Sequence, residues 1–302
     1  MDQQATINFP VPEELDVQLP SGRLHAERFG SPDAPLAIAV PGVSANLKGL
    51  TYLAERVAGD DLQVVAIDLR GRGLSDVTAP GTYGWESHAN DVIALADLLG
   101  AEKFSVIGQS MGGAVGMEVA RLAPGRMERL VLVDIVGLPD ATTLAPINMA
   151  IERLGTVYPS VEAYTNLAMS LGLITPWSDY WQRYFEYELA PAEGGVAARS
   201  NREAVLEDAR YGETAGFAEQ DGKAHIHELW EHLDMPVLLL RGTREIIPGL
   251  GFIAPVAESE RFLQVVPGAE MVEVDANHYG INTTPESAEA IKNFLDPVRR
   301  RG

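Results

Sequence analysis

The chain contains no cysteine, and its basic side chains are outnumbered: 23 Lys and Arg face 43 Asp and Glu, a formal net charge of −20 at pH 7 over 302 residues. Without cysteine there is no disulfide framework, no thiolate metal site and no thiol nucleophile. The negative charge disfavours nucleic acid and anionic membrane surfaces, which are themselves polyanions. The short basic run Arg299-Arg300-Arg301 does not reverse that and reads as a solvated end. No apolar run approaches the roughly 20 residues that a spanning helix needs. The opening MDQQATINFPVPEELD lacks the basic and apolar regions of a signal peptide. The expectation is a cytoplasmic protein with no nucleic-acid and no membrane partner.

Hydrophobic residues make up 46% of the chain and charged residues 22%, ordinary for a soluble globular enzyme. Residues 15–19 and 24–29 read as an antiparallel strand pair about Pro20-Ser21-Gly22. LAIAV at 36–40, LQVVAI at 62–67, the start of KFSVIG at 103–108 and RLVLV at 129–133 are short continuous apolar runs. Such runs suit strands covered on both faces of a parallel sheet. Residues 49–58, 85–99 and the segment after Ser110 read as the intervening helices. The alternation predicts an α/β fold of right-handed βαβ units, a mostly parallel central sheet with helices on both faces. Ligands of such sheets bind outside the carboxyl ends of the strands.

After Gly137 the rhythm breaks. Residues 138–232 carry amphipathic and aromatic helical stretches with no convincing buried strand, and are expected to form an all-helical cap (lid) insertion. MPVLLLR at 235–241 resumes the sheet, 258–266 is helical, 271–274 is the last strand and 285–295 the closing helix, with Pro at its first position. The expected division is a core of residues 1–137 and 233–302 and a cap of 138–232.

The stretch KFSVIGQSMGGAVGMEVA at 103–120 runs from strand-prone to helix-prone residues through Gly108-Gln109-Ser110-Met111-Gly112-Gly113. A strand that turns sharply into a helix about one serine is a nucleophile elbow. Its glycines are required where a Cβ would strike the neighbouring strand or helix. Ser110 would then stand at a helix N-terminus, where amide N–H groups favour developing negative charge.

A serine hydroxyl needs a base, and the base an acid. Of six histidines, His278 lies just after the last core strand, on the Ser110 side of the sheet; His25, His88, His225, His227 and His232 fall elsewhere. Two carboxylates follow a core strand: Glu245, in Arg241-Gly242-Thr243-Arg244-Glu245, and Asp134, after RLVLV. The chain order serine, acid, histidine fits Glu245, the preferred acid, and Asp134 is the alternative. The backbone N–H groups of Met111 and Val43 are the expected oxyanion donors, Val43 following the turn Pro41-Gly42.

With these residues in place the chain resembles the α/β-hydrolase fold superfamily, in the branch of small esterases, lactonases and carbon–carbon bond hydrolases with a helical lid. The residues that carry the likeness are GQSMGG, DLRGRGLSD at 68–76, RGTRE and NHYG, and it covers about 22–137 and 233–298. Two positions depart from the family pattern: Pro41 stands where a histidine usually precedes the oxyanion glycine, and Glu245 where Asp is commoner. The resemblance also implies that Asp68 and Arg72 are structural members of the loop beneath the site. Ser110 excludes the members with an aspartate nucleophile.

The reaction expected is acyl transfer to water through an acyl-enzyme on Ser110, with no metal or organic cofactor. Selectivity falls to the insertion, where Met149, Trp177, Trp181 and Tyr184 are candidate pocket residues for a small-to-medium hydrophobic ester or lactone. Cleavage of a diketone-type substrate at a carbon–carbon bond would use the same triad. A small-molecule receptor of this fold, with little turnover, is the reading of another class.

Overall fold

In a computed structural model, residues 11–296 are described, apart from 171, 173, 175, 221 and 222. The basic run at 299–301 lies outside the described residues. The first half of the chain lays down strands β1 (Glu13–Leu19), β2 (Gly22–Phe29) and β3 (Leu36–Val40), helix α1 (Lys48–Val57), β4 (Gln63–Ile67), α2 (Trp85–Leu98), β5 (Phe104–Gln109), α3 (Met111–Leu122) and β6 (Met127–Val133). Next come α4 (Leu144–Glu152), β7 (Val157–Tyr158), α5 (Val161–Ser170), α6 (Asp179–Glu188), β8 (Leu189–Ala192), β9 (Gly195–Ala198), α7 (Arg202–Tyr211), β10 (Glu219–Gln220), β11 (Lys223–Ala224) and α8 (His225–Leu229). The chain ends through β12 (Val237–Gly242), α9 (Val256–Val265), β13 (Ala269–Val274) and α10 (Pro285–Leu295).

Eight strands form one sheet in the order β1-β2-β4-β3-β5-β6-β12-β13. The pairs β1–β2 and β2–β4 are antiparallel, and every pair from β4 to β13 is parallel. The central strands are largely apolar rather than alternating because both faces of the sheet are covered. Ile38, Val65, Leu132 and Leu239 pack on one face with Val92 and Leu95 of α2, Val115 of α3 and Phe262 of α9. Their neighbours Ala37, Val64, Val133 and Leu240 pack on the other face with Leu50 and Leu53 of α1 and Ile291 of α10. Adjacent residues thus serve opposite cores, the period of two that a strand imposes.

The register sets the working edge of the sheet. Val40 pairs with Gly108, Gln109 with Val133, and Val133 with Leu240. The residues that follow, Pro41, Ser110, Asp134 and Arg241, therefore leave at the same edge.

The expectation of helices alone over 138–232 is corrected. β7, β9 and β8 form a three-stranded antiparallel sheet and β10–β11 a short hairpin. Strands of two to four residues are too short to display alternation. Gly194 and Gly195, with φ of 87° and 152°, make the turn between β8 and β9. Pro191 is tolerated in β8 because β8 is an edge strand. The end of this stretch joins the core, since Ala224, Ile226, Leu229 and Trp230 belong to the same cluster as α3. Among the described residues no helix is long and apolar enough to cross a membrane.

Candidate active site

Ser110 sits between β5 and α3 with φ 53° and ψ −126°. Among the described residues, the other non-glycine residue with a positive φ is Asp134, at 52°. Each such residue costs on the order of 1–3 kcal/mol and persists only where its surroundings hold it. Here the neighbouring strands do so: Ser110 N donates to Val133 O at 3.0 Å, and Asp134 N to Leu240 O at 2.8 Å. The elbow glycines are steric requirements. A Cβ on Gly108 would strike Gly112 O, one on Gly112 would strike Val40 O, and one on Gly113 would strike Ile135. The Ser110 side chain makes no capping bond to α3, which leaves its hydroxyl for other chemistry.

His278 follows β13 and is buried, with only 6% of its surface exposed. Its Nδ1 lies 2.7 Å from Asp134 Oδ2. A carboxylate can only accept, so the Nδ1 proton points at Asp134 and the Nε2 lone pair at the opposite side of the ring. The other carboxylate oxygen, Oδ1, accepts from Gly242 N at 2.9 Å. Gly242 leaves the approach open, since a Cβ there would come within 2.8 Å of Ala276 O.

The preference for Glu245 is corrected by this geometry. Its carboxylate accepts from Gly249 N at 2.7 Å and Gly251 N at 3.3 Å, bracing its own loop. Asp134 and Glu245 both follow core strands at the same edge. The left-handed backbone of Asp134 and its short side chain bring that carboxylate to the imidazole.

The Nε2 side of His278 meets a residue that sequence reasoning passed over. Gln109 Nε2 stands 3.1 Å from His278 Nε2 and donates to its lone pair. Gln109 is the residue before Ser110, so its place in the elbow was the available signal.

The loop after β3 closes over the serine. Ala45 N donates to Gly42 O at 3.1 Å, fixing the peptide plane that carries Val43 N–H. A Cβ on Gly42 would lie 2.6 Å from Gln109 Oε1 and 3.1 Å from Ser110 Cβ, so the loop approaches as closely as only glycine permits. Arg72 donates through Nε and Nη2 to Val43 O at 3.1 and 2.8 Å. Asp68 accepts from Leu47 N at 2.8 Å and Leu74 N at 2.9 Å. Burial pushes the Asp68 carboxyl above its usual range, while bonds from Tyr187 and these amides pull it back down.

Two cavities flank the elbow. Ser110, Met111 and Val43 line one of about 620 Å³, with Trp85, Ile135 and Phe217 on its apolar walls. Gln109 lines the other, of about 810 Å³, with Met149, Trp181 and Tyr184. Three of the four expected pocket residues thus line the neighbouring chamber rather than the one lined by Ser110. The fourth, Trp177, stacks on Phe185 with ring planes 1° apart and packs the aromatic cluster behind it. Charge in the larger chamber comes from Arg153, held by Glu188 and Tyr164. Among the described residues no group of three or more His, Asp or Glu is arranged to hold a metal ion.

Comparison with known proteins agrees with this architecture. N-formylmaleamate deformylase of Pseudomonas putida (strain KT2440) is 35% identical over 112 residues, 37% of this chain and 41% of that protein, so the chain matches less than half of that relative's length. The 3-hydroxybutyrate-oligomer hydrolase of Cupriavidus necator (strain H16) is 26% identical over 236 residues, 74% of this chain and 77% of that protein. The solved structure of E-2-(acetamidomethylene)succinate hydrolase superposes with a TM-score of 0.79 at 23% identity, covering 95% of this chain and 100% of that one, a likeness of fold. The alpha/beta hydrolase fold family matches residues 38–283, and the chain belongs to that family.

Proposed function

We propose that this hydrolase cleaves a carboxylic ester or lactone of a small-to-medium hydrophobic substrate through an acyl-enzyme on Ser110. The observation that carries the reading is the 2.7 Å contact between His278 Nδ1 and Asp134 Oδ2, at the sheet edge where Ser110 stands strained at the start of α3. In this reading His278 Nε2 takes the Ser110 proton as Oγ bonds to the substrate carbonyl carbon. The oxyanion rests on the N–H groups of Val43 and Met111. Collapse of the adduct breaks the bond to the leaving group, which receives the proton from Nε2. Water then gives a proton to Nε2, attacks the acyl carbon and releases the acid as Oγ recovers its proton. Asp134 holds the imidazole in the tautomer this requires and stabilises the imidazolium.

The apolar walls of the Ser110 chamber suit a hydrophobic acyl or alcohol portion, and the Gln109 chamber offers room for the remainder of the substrate across the elbow. The segment 138–232 supplies Ile147 and Phe217 to the first chamber and most of the lining of the second, which is the role of a selectivity cap. The relative named as a 3-hydroxybutyrate-oligomer hydrolase acts on such an oligomer, which is joined by ester bonds.

The test is turnover by wild-type and Ser110→Ala protein of p-nitrophenyl esters of increasing chain length, lactones of increasing ring size, and β-diketones. Ester or lactone hydrolysis that vanishes in S110A is expected. Diketone cleavage without ester cleavage would move the chain to carbon–carbon bond hydrolysis. Labelling by a fluorophosphonate with no turnover of any of them would make it a receptor.

A further inference from the structure

Asp208 lies on α7, within the segment 138–232, yet its carboxylate reaches the floor of the catalytic loop. Its Oδ2 pairs with Arg72 Nη2 at 2.6 Å and with His88 Nε2 at 2.9 Å, and its Oδ1 accepts from Gly84 N at 2.6 Å. The side chains of Arg72, Asp208 and His88 are all 0% exposed. A buried guanidinium requires a countercharge, and its rigid fork makes the position of that countercharge set the plane of the whole group. Arg72 spends Nε and the same Nη2 on the carbonyl of Val43. The Asp208 carboxylate therefore determines where Arg72 presents its donors, and Arg72 determines where the Val43–Ser44 peptide lies.

We infer that Asp208 is a positioning residue for the oxyanion loop, coupling the seating of α7 over the Ser110 chamber to the Val43–Ser44 peptide. That peptide adjoins the Gly42–Val43 peptide that carries the donor N–H. Asp208 also lines that chamber, so a displacement of α7 that opens the chamber withdraws the countercharge in the same movement. A second tie runs the same way: Arg153, just beyond α4, donates to Ser44 O at 3.3 Å. The carbonyls of Gly42, Val43 and Ser44 are then held by Ala45 N, Arg72 and Arg153 in turn. Only Gly42 O depends on the loop alone. The inference rests on the serine-hydrolase reading for its kinetic consequence, while its structural consequence stands apart from that reading.

The test compares Asp208→Asn with a control, Asp91→Asn, which breaks the partly buried Arg70–Asp91 side-chain pair, Arg70 meeting Arg72 only through its backbone carbonyl. The probe is p-nitrophenyl butyrate, followed by kcat and KM, and hydrogen–deuterium exchange of the 42–45 amides is followed in parallel. Loss of a single oxyanion donor costs about 10²–10³-fold in kcat. D208N should therefore lose roughly 10–100-fold in kcat, with KM changed by less than about 3-fold, for a donor misplaced rather than removed. Exchange at 42–45 should accelerate in D208N and not in D91N. If D208N does not fold, the double variant R72M/D208L removes both members of the ion pair at once, so that neither is buried without the other, and leaves His88 Nε2 and Gly84 N without their acceptor. It should fold and still show low kcat and fast exchange, because Val43 O has lost its donor. A purely structural pair would let kcat recover with stability in the double variant. That result, or exchange and kcat in D208N indistinguishable from D91N, overturns the inference. Turnover surviving in S110A overturns the serine-hydrolase reading instead and leaves the exchange result to stand on its own.

Discussion

Gln109 Nε2 stands 3.1 Å from His278 Nε2, on the lone pair that accepts the Ser110 proton in the proposed mechanism. In that mechanism the Gln109 amide competes with Ser110 for its base. A neutral hydrogen bond of this kind is worth about 0.5–1.5 kcal/mol. Gln109→Met keeps the bulk of the side chain and removes the donor, so the acylation burst with p-nitrophenyl butyrate should rise roughly 2–10-fold in stopped-flow measurements. A slower burst would show that the carboxamide assists the base rather than occupying it.

The acid assignment separates sharply by mutation. Asp134→Asn keeps the shape but presents a donor where the imidazole needs an acceptor, and a substitution of this type lowers kcat by about 10⁴-fold. Glu245→Gln alters only the brace to Gly249 N and Gly251 N. It should leave kcat within a few-fold and lower stability by about 1–2 kcal/mol. Steady-state kinetics and urea melts of the two variants decide the point, and the reverse ranking would restore Glu245.

How far the sequence reached follows from these residues. LAIAV, LQVVAI and RLVLV announced themselves because a strand covered on both faces is a nearly continuous apolar run, and Ser110 because of the glycines around it. Choosing between Asp134 and Glu245 needed the direction of a side chain, set by the φ of 52° at Asp134 and invisible to spacing. β8 and β9 were hidden by length, four residues each. Met149, Trp181 and Tyr184 line the chamber beside the one lined by Ser110, and which of the two they line depends on the packing of α4 and α6. Asp208 did leave a trace. It falls four residues after Ala204 on the buried stripe of α7, and a carboxylate on an apolar stripe asks for a partner.

Gly42 reports on the closeness of the catalytic loop. A Cβ added there would meet Gln109 Oε1 at 2.6 Å and Ser110 Cβ at 3.1 Å. Gly42→Ala should push the loop from the serine and lower kcat by about 10²-fold, the scale of one oxyanion donor, with an unchanged circular dichroism spectrum. A Gly42→Ala variant with wild-type kcat would show that Val43 N–H is not a donor.

The Arg72–Asp208 pair also shapes the response to acid. Burial works against the charged form of Asp208, but His88, Arg72 and the Gly84 amide outweigh it and hold the carboxyl well below its ordinary 3.8. A depressed pKa contributes stability that is present above the unfolded value and lost as pH falls towards the folded one. Wild-type protein should therefore exceed D208N in melting temperature by its widest margin above about pH 4, and the gap should narrow below it. A gap that stays constant from pH 7 to pH 3 would contradict the assignment of the charge to Asp208.

Hydrolysis by the proposed mechanism requires a covalent bond at Ser110. Rapid acid quenching of the reaction with p-nitrophenyl butyrate, followed by mass spectrometry of the digested protein, should find a butyryl group on the peptide that carries Ser110. The adduct should form at the rate of the p-nitrophenolate burst and be absent in S110A. Continued turnover with no adduct on that peptide, at the same rate in wild-type and S110A protein, would contradict it.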